Sequence, residues 1–433
     1  MEKIKLILIG AGDRGTSYVT LGDKYCPELM DVVGVADPDP IRRNYIKEKF
    51  NLPDERVFNG WEEILARPKF ADAAIIATQD KGHFEPAMKA ISLGYEILLE
   101  KPAATTPEEC LQIADYAKEK GVKVVVCHVL RFTPFFNLLK DIIDSGRLGK
   151  VMNIIHIECV GNVHQSHSYV RGNWKNSETS SPMILAKSCH DLDIIQWLLG
   201  TKCTELHSFG SLKYFTKENK PEGAPEYCYL GCPYGDDCPY NATKVYSLAS
   251  PFKTWVKNAT GKHVPTEEDI RETITTTDYG KCVFNCPNNV VDHQVVNLEY
   301  DDGATVSFTM SAFNQGGRKI RVMGTKGELT AEMHWDHVEI FDFKTRQTDK
   351  IYIKDFVADE SIKGGHGGGD QGIIRAFCEY LGGTYTGKSI CDITTSIENH
   401  LVAFAAEKSR VEKKIINMDE YINDIRSNTK TEK

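Results

Sequence analysis

No apolar run in the 433 residues approaches the roughly 20 that would span a bilayer. The first residues also lack the layout of a secretory signal. Basic charge is not in excess: the formal net charge is −9, which leaves no electrostatic footprint for nucleic acid. There is no internal repeat and no long low-complexity tract, so the chain is not read as a repeat array. These absences predict a cytoplasmic protein with neither a nucleic-acid nor a membrane partner. Hydrophobic residues at 41% and charged residues at 26% are ordinary for a globular chain, and the length allows about two to three domains.

Cysteine, by contrast, is plentiful, with thirteen residues. Cys110, Cys127 and Cys378 stand alone in apolar segments, where buried thiols are common. A disulfide framework is not expected in a reducing compartment at this length. Cys228, Cys232 and Cys238 are clustered as C-x3-C-x5-C, and Cys282 and Cys286 follow as C-x3-C. Four thiolates would satisfy a tetrahedral zinc ion. The spacing departs from the usual C-x2-C, so free buried thiols or a redox-formed disulfide stay open, and no metal is assigned.

The chain begins with a β-type run, Ile4 to Ile9, that ends in Gly10-Ala11-Gly12-Asp13-Arg14-Gly15. Such glycines permit a tight turn, close approach of backbone to a pyrophosphate, and close helix–strand packing. The helix that follows aims its N-terminal N–H groups at the phosphates. A second strand, Val32–Ala36, ends in Asp37, where an acid can hold a ribose 2′-hydroxyl. The combination predicts a bound nicotinamide dinucleotide. Asp37 favours NAD, while Arg42 and Arg43 keep NADP possible.

Strand and helix signals then alternate: a strand at 73–77 ending at Thr78, with Gln79, Asp80 and His83 after it; a helix near 86–93; a helix near 107–120; and a strand at 122–127. This predicts a parallel sheet covered on both faces. Within it, Ile97-Leu98-Leu99 runs into Glu100-Lys101-Pro102. Ligands of open α/β sheets bind beyond the carboxyl ends of the strands, so Lys101 is placed at the mouth of a site. The domain boundary is drawn near residue 130: residues 1–130 bind the cofactor, and 131–433 form a substrate-binding and oligomerisation domain. In the second part, 151–160 reads as a strand, 161–181 as a polar loop and 184–199 as one amphipathic helix. Residues 293–300 and 304–313 read as a hairpin around Asp301-Asp302-Gly303. Consecutive strands without helices between them predict a largely antiparallel sheet.

On the helix 184–199, Lys187, His190 and Asp193 are spaced by three and so neighbour one another. Histidine exchanges protons near neutral pH, and Asp193 could orient it. A satisfied structural histidine in a salt-bridged helix is the plainer alternative. Arg171 and Trp174 would suit a polyol or sugar, though an aromatic is more often core. His366, within Gly364–Asp370, could bring a loop onto a ligand or belong to a flexible segment.

Taken together, the glycine loop, Ala77-Thr78 with His83, Glu100-Lys101-Pro102, Arg131-Phe132-Thr133-Pro134 and His190-Asp191-Leu192-Asp193 resemble the Gfo/Idh/MocA oxidoreductases over nearly the whole chain. The resemblance implies a Rossmann domain followed by an α+β domain with a large, mostly antiparallel open sheet. It implies that Gly10, Gly12, Asp13, Arg14, Gly15, Asp37, Thr78, His83, Glu100, Lys101 and Arg131 serve the cofactor. Lys101 resembles the active-site lysine and His190 the catalytic acid/base. Lys187, Asp193, Arg171, Trp174 and His366 are expected on the substrate. Two positions depart from the family pattern: Gln79 stands where proline is common, and Ala186 where an aspartate is common, which leaves Lys187 for a substrate-binding role. The implied activity is hydride transfer between NAD and a secondary hydroxyl of a sugar, cyclitol or derivative, in a homodimer or homotetramer. Glycoside cleavage through transient oxidation is the alternative enzymatic reading, and an NAD-dependent sensor is the third.

Overall fold

A computed structural model describes residues 2–262, 264–356 and 365–431. The first unit is a six-stranded parallel sheet of β1 (Ile4–Ile9), β2 (Met30–Ala36), β3 (Val57–Phe58), β4 (Ala73–Ile76), β5 (Glu96–Leu99) and β6 (Val124–Val126). Its order is β3-β2-β1-β4-β5-β6, the doubly wound arrangement. Leu6, Ile7, Leu8 and Ile9 are all buried, as a strand covered on both faces requires. The direction of winding reverses between β1 and β4, and a crevice opens there at the strands' carboxyl ends. Helix ends are well capped. Thr106 Oγ1 accepts from Glu109 N ahead of the helix Pro107–Lys120, and left-handed Gly121 closes it.

The second sheet has nine strands: β7 (Val151–Cys159), β8 (Cys203–Ser211), β9 (His293–Tyr300), β10 (Thr305–Ser311), β11 (Gly317–Gly324), β12 (Gly327–Glu332), β13 (His337–Asp342), β14 (Thr348–Tyr352) and β15 (Ile416–Asn417). The order is β14-β13-β12-β11-β7-β10-β9-β8-β15, antiparallel except where β7 pairs with β10. The expected hairpin is β9–β10, closed by Gly303 at φ +82°. Inward side chains alternate with exposed ones, and the helices Cys189–Leu199 and Ile393–Glu412 pack on the sheet. The other face exposes Met152, Ile155, Phe209 and Val295.

A division at residue 130 does not separate two independent units. The helix Gly369–Leu381 returns to the first one, and its Ile373, Ile374, Phe377 and Cys378 share a core with Leu6, Leu8 and Tyr18. Residues 161–181 are not the expected polar loop: Asn162–His164 is helical and Gln165–Arg171 forms a wide π-type turn, buried throughout. Residues 212–290 contribute to two small cores beyond the sheet, one around Phe215, Tyr240 and Phe284 that also takes in Val170 and Ala312, and one around Tyr246 and Val256 that also takes in Val163. Among the described residues no helix is long and apolar enough to cross a membrane.

Candidate active site

The glycine loop has the geometry its sequence implies. Gly10 has φ +91°, and a Cβ there would lie 2.6 Å from the Ala77 carbonyl oxygen. A Cβ on Gly15 would lie 2.0 Å from the Gly10 carbonyl oxygen, so only glycine lets the helix Asp13–Tyr25 approach the strand. Gly12, at the start of that helix, has nothing nearer to its absent Cβ than Arg42 Nη1 at 3.8 Å. The surface above Gly12 and the helix N-terminus is thus open, and it fits a dinucleotide pyrophosphate. Asp13 is exposed beside it. Asp37 Oδ2 accepts from Ala11 N at 2.7 Å and Oδ1 from Asp39 N at 2.8 Å, which fastens the loop to the end of β2.

Arg14 and Glu100 lie beneath the loop rather than facing a ligand. Arg14 donates to Glu100 Oε1 at 2.8 Å and forms two hydrogen bonds to Asp370, at 2.9 and 2.7 Å. Tyr18 donates to the same Glu100 oxygen. Burial opposes ionisation of Glu100, but Arg14 and Lys101 outweigh it and hold the carboxyl below its usual range. Expected on the cofactor, both residues are seen bracing the loop through each other and Asp370.

Thr78 Oγ1 donates to Gly82 O at 2.7 Å, shaping the turn after β4. His83 is buried with its ring nitrogens 2.7 Å from Pro102 O and 3.1 Å from Thr78 O, joining that turn to the one after β5. The Lys101–Pro102 peptide is cis. Lys101 is half-buried, and its Nζ donates to Ala186 O at 2.9 Å. The lysine at the edge of the first sheet therefore touches the second domain immediately before Lys187.

The expected helix 184–199 is interrupted. Met183–Ala186 and Cys189–Leu199 are separate helices, with Lys187 and Ser188 at the break. Lys187 Nζ turns to Glu158 Oε1, 3.2 Å away on β7. Glu158 also pairs with Arg318 at 2.7 Å, Arg318 with Asp191 at 2.7 Å, and Asp191 with His156 at 2.8 Å. Burial lowers the Lys187 pKa, and Glu158 opposes that shift. This buried network was not foreseen. Its signal was present on β7, where His156 and Glu158 occupy inward positions in step with Ile154.

His190 is buried in the first turn of Cys189–Leu199, its ring set edge-on to His128 with centroids 6.0 Å apart. Asp193, one turn deeper, is fully buried. It accepts two bonds of 2.7 Å from Arg131 and a third of 2.7 Å from Asn399. Spacing made Asp193 a neighbour that could orient His190, the expected site placed it on the substrate, and the motif put Arg131 on the cofactor. Facing each other in the core, they form an ion pair behind His190. His128, Asp193 and Cys391 bring donor atoms within 4.8 Å of one another, but Arg131 already supplies the positive charge a metal would bring.

Arg171, also expected on the substrate, is buried in the π-type turn and donates to Lys281 O and Tyr240 O at 2.8 and 2.7 Å. Trp174 Nε1 donates to Asp80 at 3.1 Å, and Ser181 donates to the same carboxylate at 2.9 Å, so Asp80 ties the second domain to the crevice edge. The backbone of His366 lies in the turn Gly365–Gly368, and its side chain is outside the described residues. The missed residue is His164. It stacks on Trp255 at 4.6 Å, and burial together with the charges of Lys187 and Lys101 pushes its pKa well down. An imidazole held toward its neutral form and backed by an indole is thus within electrostatic reach of the two lysines. Nothing in the sequence near His164 or Trp255 signalled that they would meet.

Two family descriptions match the chain: "Oxidoreductase family, NAD-binding Rossmann fold" over residues 4–128, and "Oxidoreductase family, C-terminal alpha/beta domain" over residues 140–418. YteT of Bacillus subtilis (strain 168), which carries an oxidoreductase designation, is 26% identical over 363 residues, covering 80% of this chain and 81% of its own. Inositol 2-dehydrogenase 2 of Saccharopolyspora erythraea is 34% identical over 130 residues, 30% of this chain and 35% of that protein. Among solved structures, levoglucosan dehydrogenase in complex with NADH superposes with a TM-score of 0.70 at 16% identity, covering 96% of this chain and 99% of that one. That likeness concerns the fold. The two matched segments, in order and spanning most of the sequence, show that the chain belongs to the Gfo/Idh/MocA family of oxidoreductases.

Proposed function

We propose that the protein transfers a hydride between NAD and a secondary hydroxyl of a sugar, cyclitol or derivative. The observation that carries this reading is the 2.9 Å contact of Lys101 Nζ with Ala186 O. It brings the lysine at the cofactor crevice together with the segment that bears Lys187 and His190. The open N-terminus at Gly12 would hold the pyrophosphate, and bound NAD would accept or give the hydride. Lys101 and His190 would hold and move the hydroxyl proton. Lys187, with His164 backed by Trp255, would bind neighbouring hydroxyls, the neutral imidazole accepting and the lysine donating. Asp37 favours NAD over NADP, since a carboxylate at the end of β2 repels a 2′-phosphate. The thirteen cysteines are all free, as suits the cytoplasm. The apolar face of the second sheet around Met152, Ile155, Phe209 and Val295 supports pairing into a homodimer or homotetramer.

The test is a screen of sugars and cyclitols for NADH absorbance, on protein whose bound cofactor has first been measured. Net NADH formation with at least one of them is expected. The second reading is glycoside cleavage through transient oxidation; among the relatives, the 2,7-anhydro-N-acetylneuraminate hydratase of Escherichia coli, 29% identical over 138 residues, is named for a reaction other than a dehydrogenation. In that reading the cofactor is reduced and reoxidised within one turnover, and product forms with no net NADH.

A further inference from the structure

The domain of residues 212–290 contains a group of thiols that the proposed reaction does not use. An isolated antiparallel bridge pairs Tyr227 with Lys281. Cys228 N donates to Gly280 O and Cys282 N to Glu226 O, each at 2.9 Å. Cys228 and Cys282 therefore flank the bridge and project to the same side of it. The chain then turns at Gly231, with φ +76°, and folds back through bonds from Gly235 N to Cys232 O and from Cys238 N to Tyr234 O. Asn241 Nδ2 secures that knuckle on Gly235 O at 2.8 Å. Cys232 and Cys238 stand at the two ends of that folded-back turn, directly after the bridge that carries Cys228 and Cys282. Cys286 is buried within the apolar cluster of Phe215, Tyr240 and Phe284, whereas Cys238 and Cys282 only pack against its edge and, like Cys228 and Cys232, are half-exposed.

A second, independent observation concerns Arg171. Its side chain is 1% exposed and meets no carboxylate among the described residues. Two backbone carbonyls accept from it, Nη2 lies 3.7 Å from Cys228 Sγ, and Nη1 makes no hydrogen bond. The Tyr246 hydroxyl partners the guanidinium as well as His167 Nδ1, which is 3.0 Å away, but burial keeps the phenol protonated, so it adds no counter-charge. A buried cation without a counter-charge is strongly unfavourable. Neutral thiols supply no charge, whereas thiolates do.

We propose that Cys228, Cys232, Cys238 and Cys282 hold a thiolate-bound metal centre whose negative charge is balanced by Arg171. Each thiol gives its proton to solvent as its metal–sulfur bond forms. Four thiolates around a divalent ion, or around an iron–sulfur cluster, leave a net negative charge beside the guanidinium. Among the described residues no three of these sulfurs lie within 4.8 Å of one another. A zinc ion would draw them in by side-chain rotation, and an iron–sulfur cluster would bridge a wider set. Either would fasten the bridge and knuckle into one rigid piece.

Elemental analysis of the full chain, purified without chelator, tests this. About one zinc per chain, or iron with acid-labile sulfide and visible absorption, is the expected result and tells the two metals apart. Cys238→Ser should lose the metal and Cys378→Ser should keep it. If Cys238→Ser does not fold, X-ray absorption at the metal edge of the natural chain decides, with sulfur ligands expected. The proposal is overturned by a chain that holds no metal as isolated or after anaerobic incubation with zinc or with iron and sulfide. Metal content equal in Cys238→Ser and the natural chain would also overturn it.

Discussion

Lys187 Nζ stands 3.2 Å from Glu158 Oε1, so the cation beside the crevice takes its counter-charge from a strand rather than from its own helix. Position 186 is an alanine with no side-chain charge to offer, and its carbonyl receives Lys101.

From that pairing, Lys187→Ala should mainly raise KM, by about tenfold for one lost charged hydrogen bond. Glu158→Gln should do the same while also lowering Tm, because Arg318 loses one of its two acids. Steady-state kinetics with a thermal melt separates the two effects. An unchanged KM in both variants would remove Lys187 from the substrate wall.

Lys101→Ala and His190→Ala should each lower kcat by ~10² or more, as expected for a lost acid or base. NAD affinity, followed by fluorescence, should change little in the histidine variant. A His190→Ala enzyme with full kcat would send the proton elsewhere.

For Asp193 the expected defect is in folding. Asp193→Asn leaves Arg131 charged and unpaired in the core, at a cost of about 3–5 kcal/mol. Denaturant titration should show that loss. A variant of natural stability with an altered KM would return Asp193 to the substrate.

Acid should unfold the protein through its buried histidines. Burial pushes His128 down to about 3 and His400 down to about 4, from 6.5. Below 6.5 the unfolded chain takes up protons that the folded one refuses. The stability these neutral rings contribute is therefore full above about pH 6.5 and declines as pH falls toward 4, by on the order of a few kcal/mol. Melting curves between pH 7 and 4 measure the slope, which should be shallower in His128→Leu.

The aromatic pair of His164 and Trp255 gives a third kinetic test. Trp255→Ala should raise KM by about tenfold, the scale of one ring contact, with kcat nearly unchanged. A drop in kcat alone would assign the indole to holding His164.

The first sheet was the more legible half because each of its buried strands is an apolar run closed by a turn residue, and the glycine loop carries its own steric signature. The hairpin around Gly303 was legible for the same reason. The break at Lys187-Ser188 was not, since apolar spacing continues across it and only the pull of Glu158 from a distant strand reveals it. Asp193 and Arg171 show the same limit. Spacing on a helix tells which residues are neighbours of Asp193 but not which way the core lies, and polar composition around Arg171 suggested a loop; both charges proved to face inward. Glu158 could have been found by asking why a strand places an acid among its buried positions.

The bond from Arg14 to Asp370 joins residues 356 positions apart. The helix after the glycine loop is thus held in place by chain that leaves the ribosome some 356 residues after it. Until then Leu8, Tyr18 and their neighbours lack the cover of Ile373 and Phe377. The nascent first half must wait, with an apolar strip uncovered, for its last helix. A fragment ending at residue 130 should accordingly aggregate or recruit a chaperone, while a circular permutant that begins with residues 369–381 should close early.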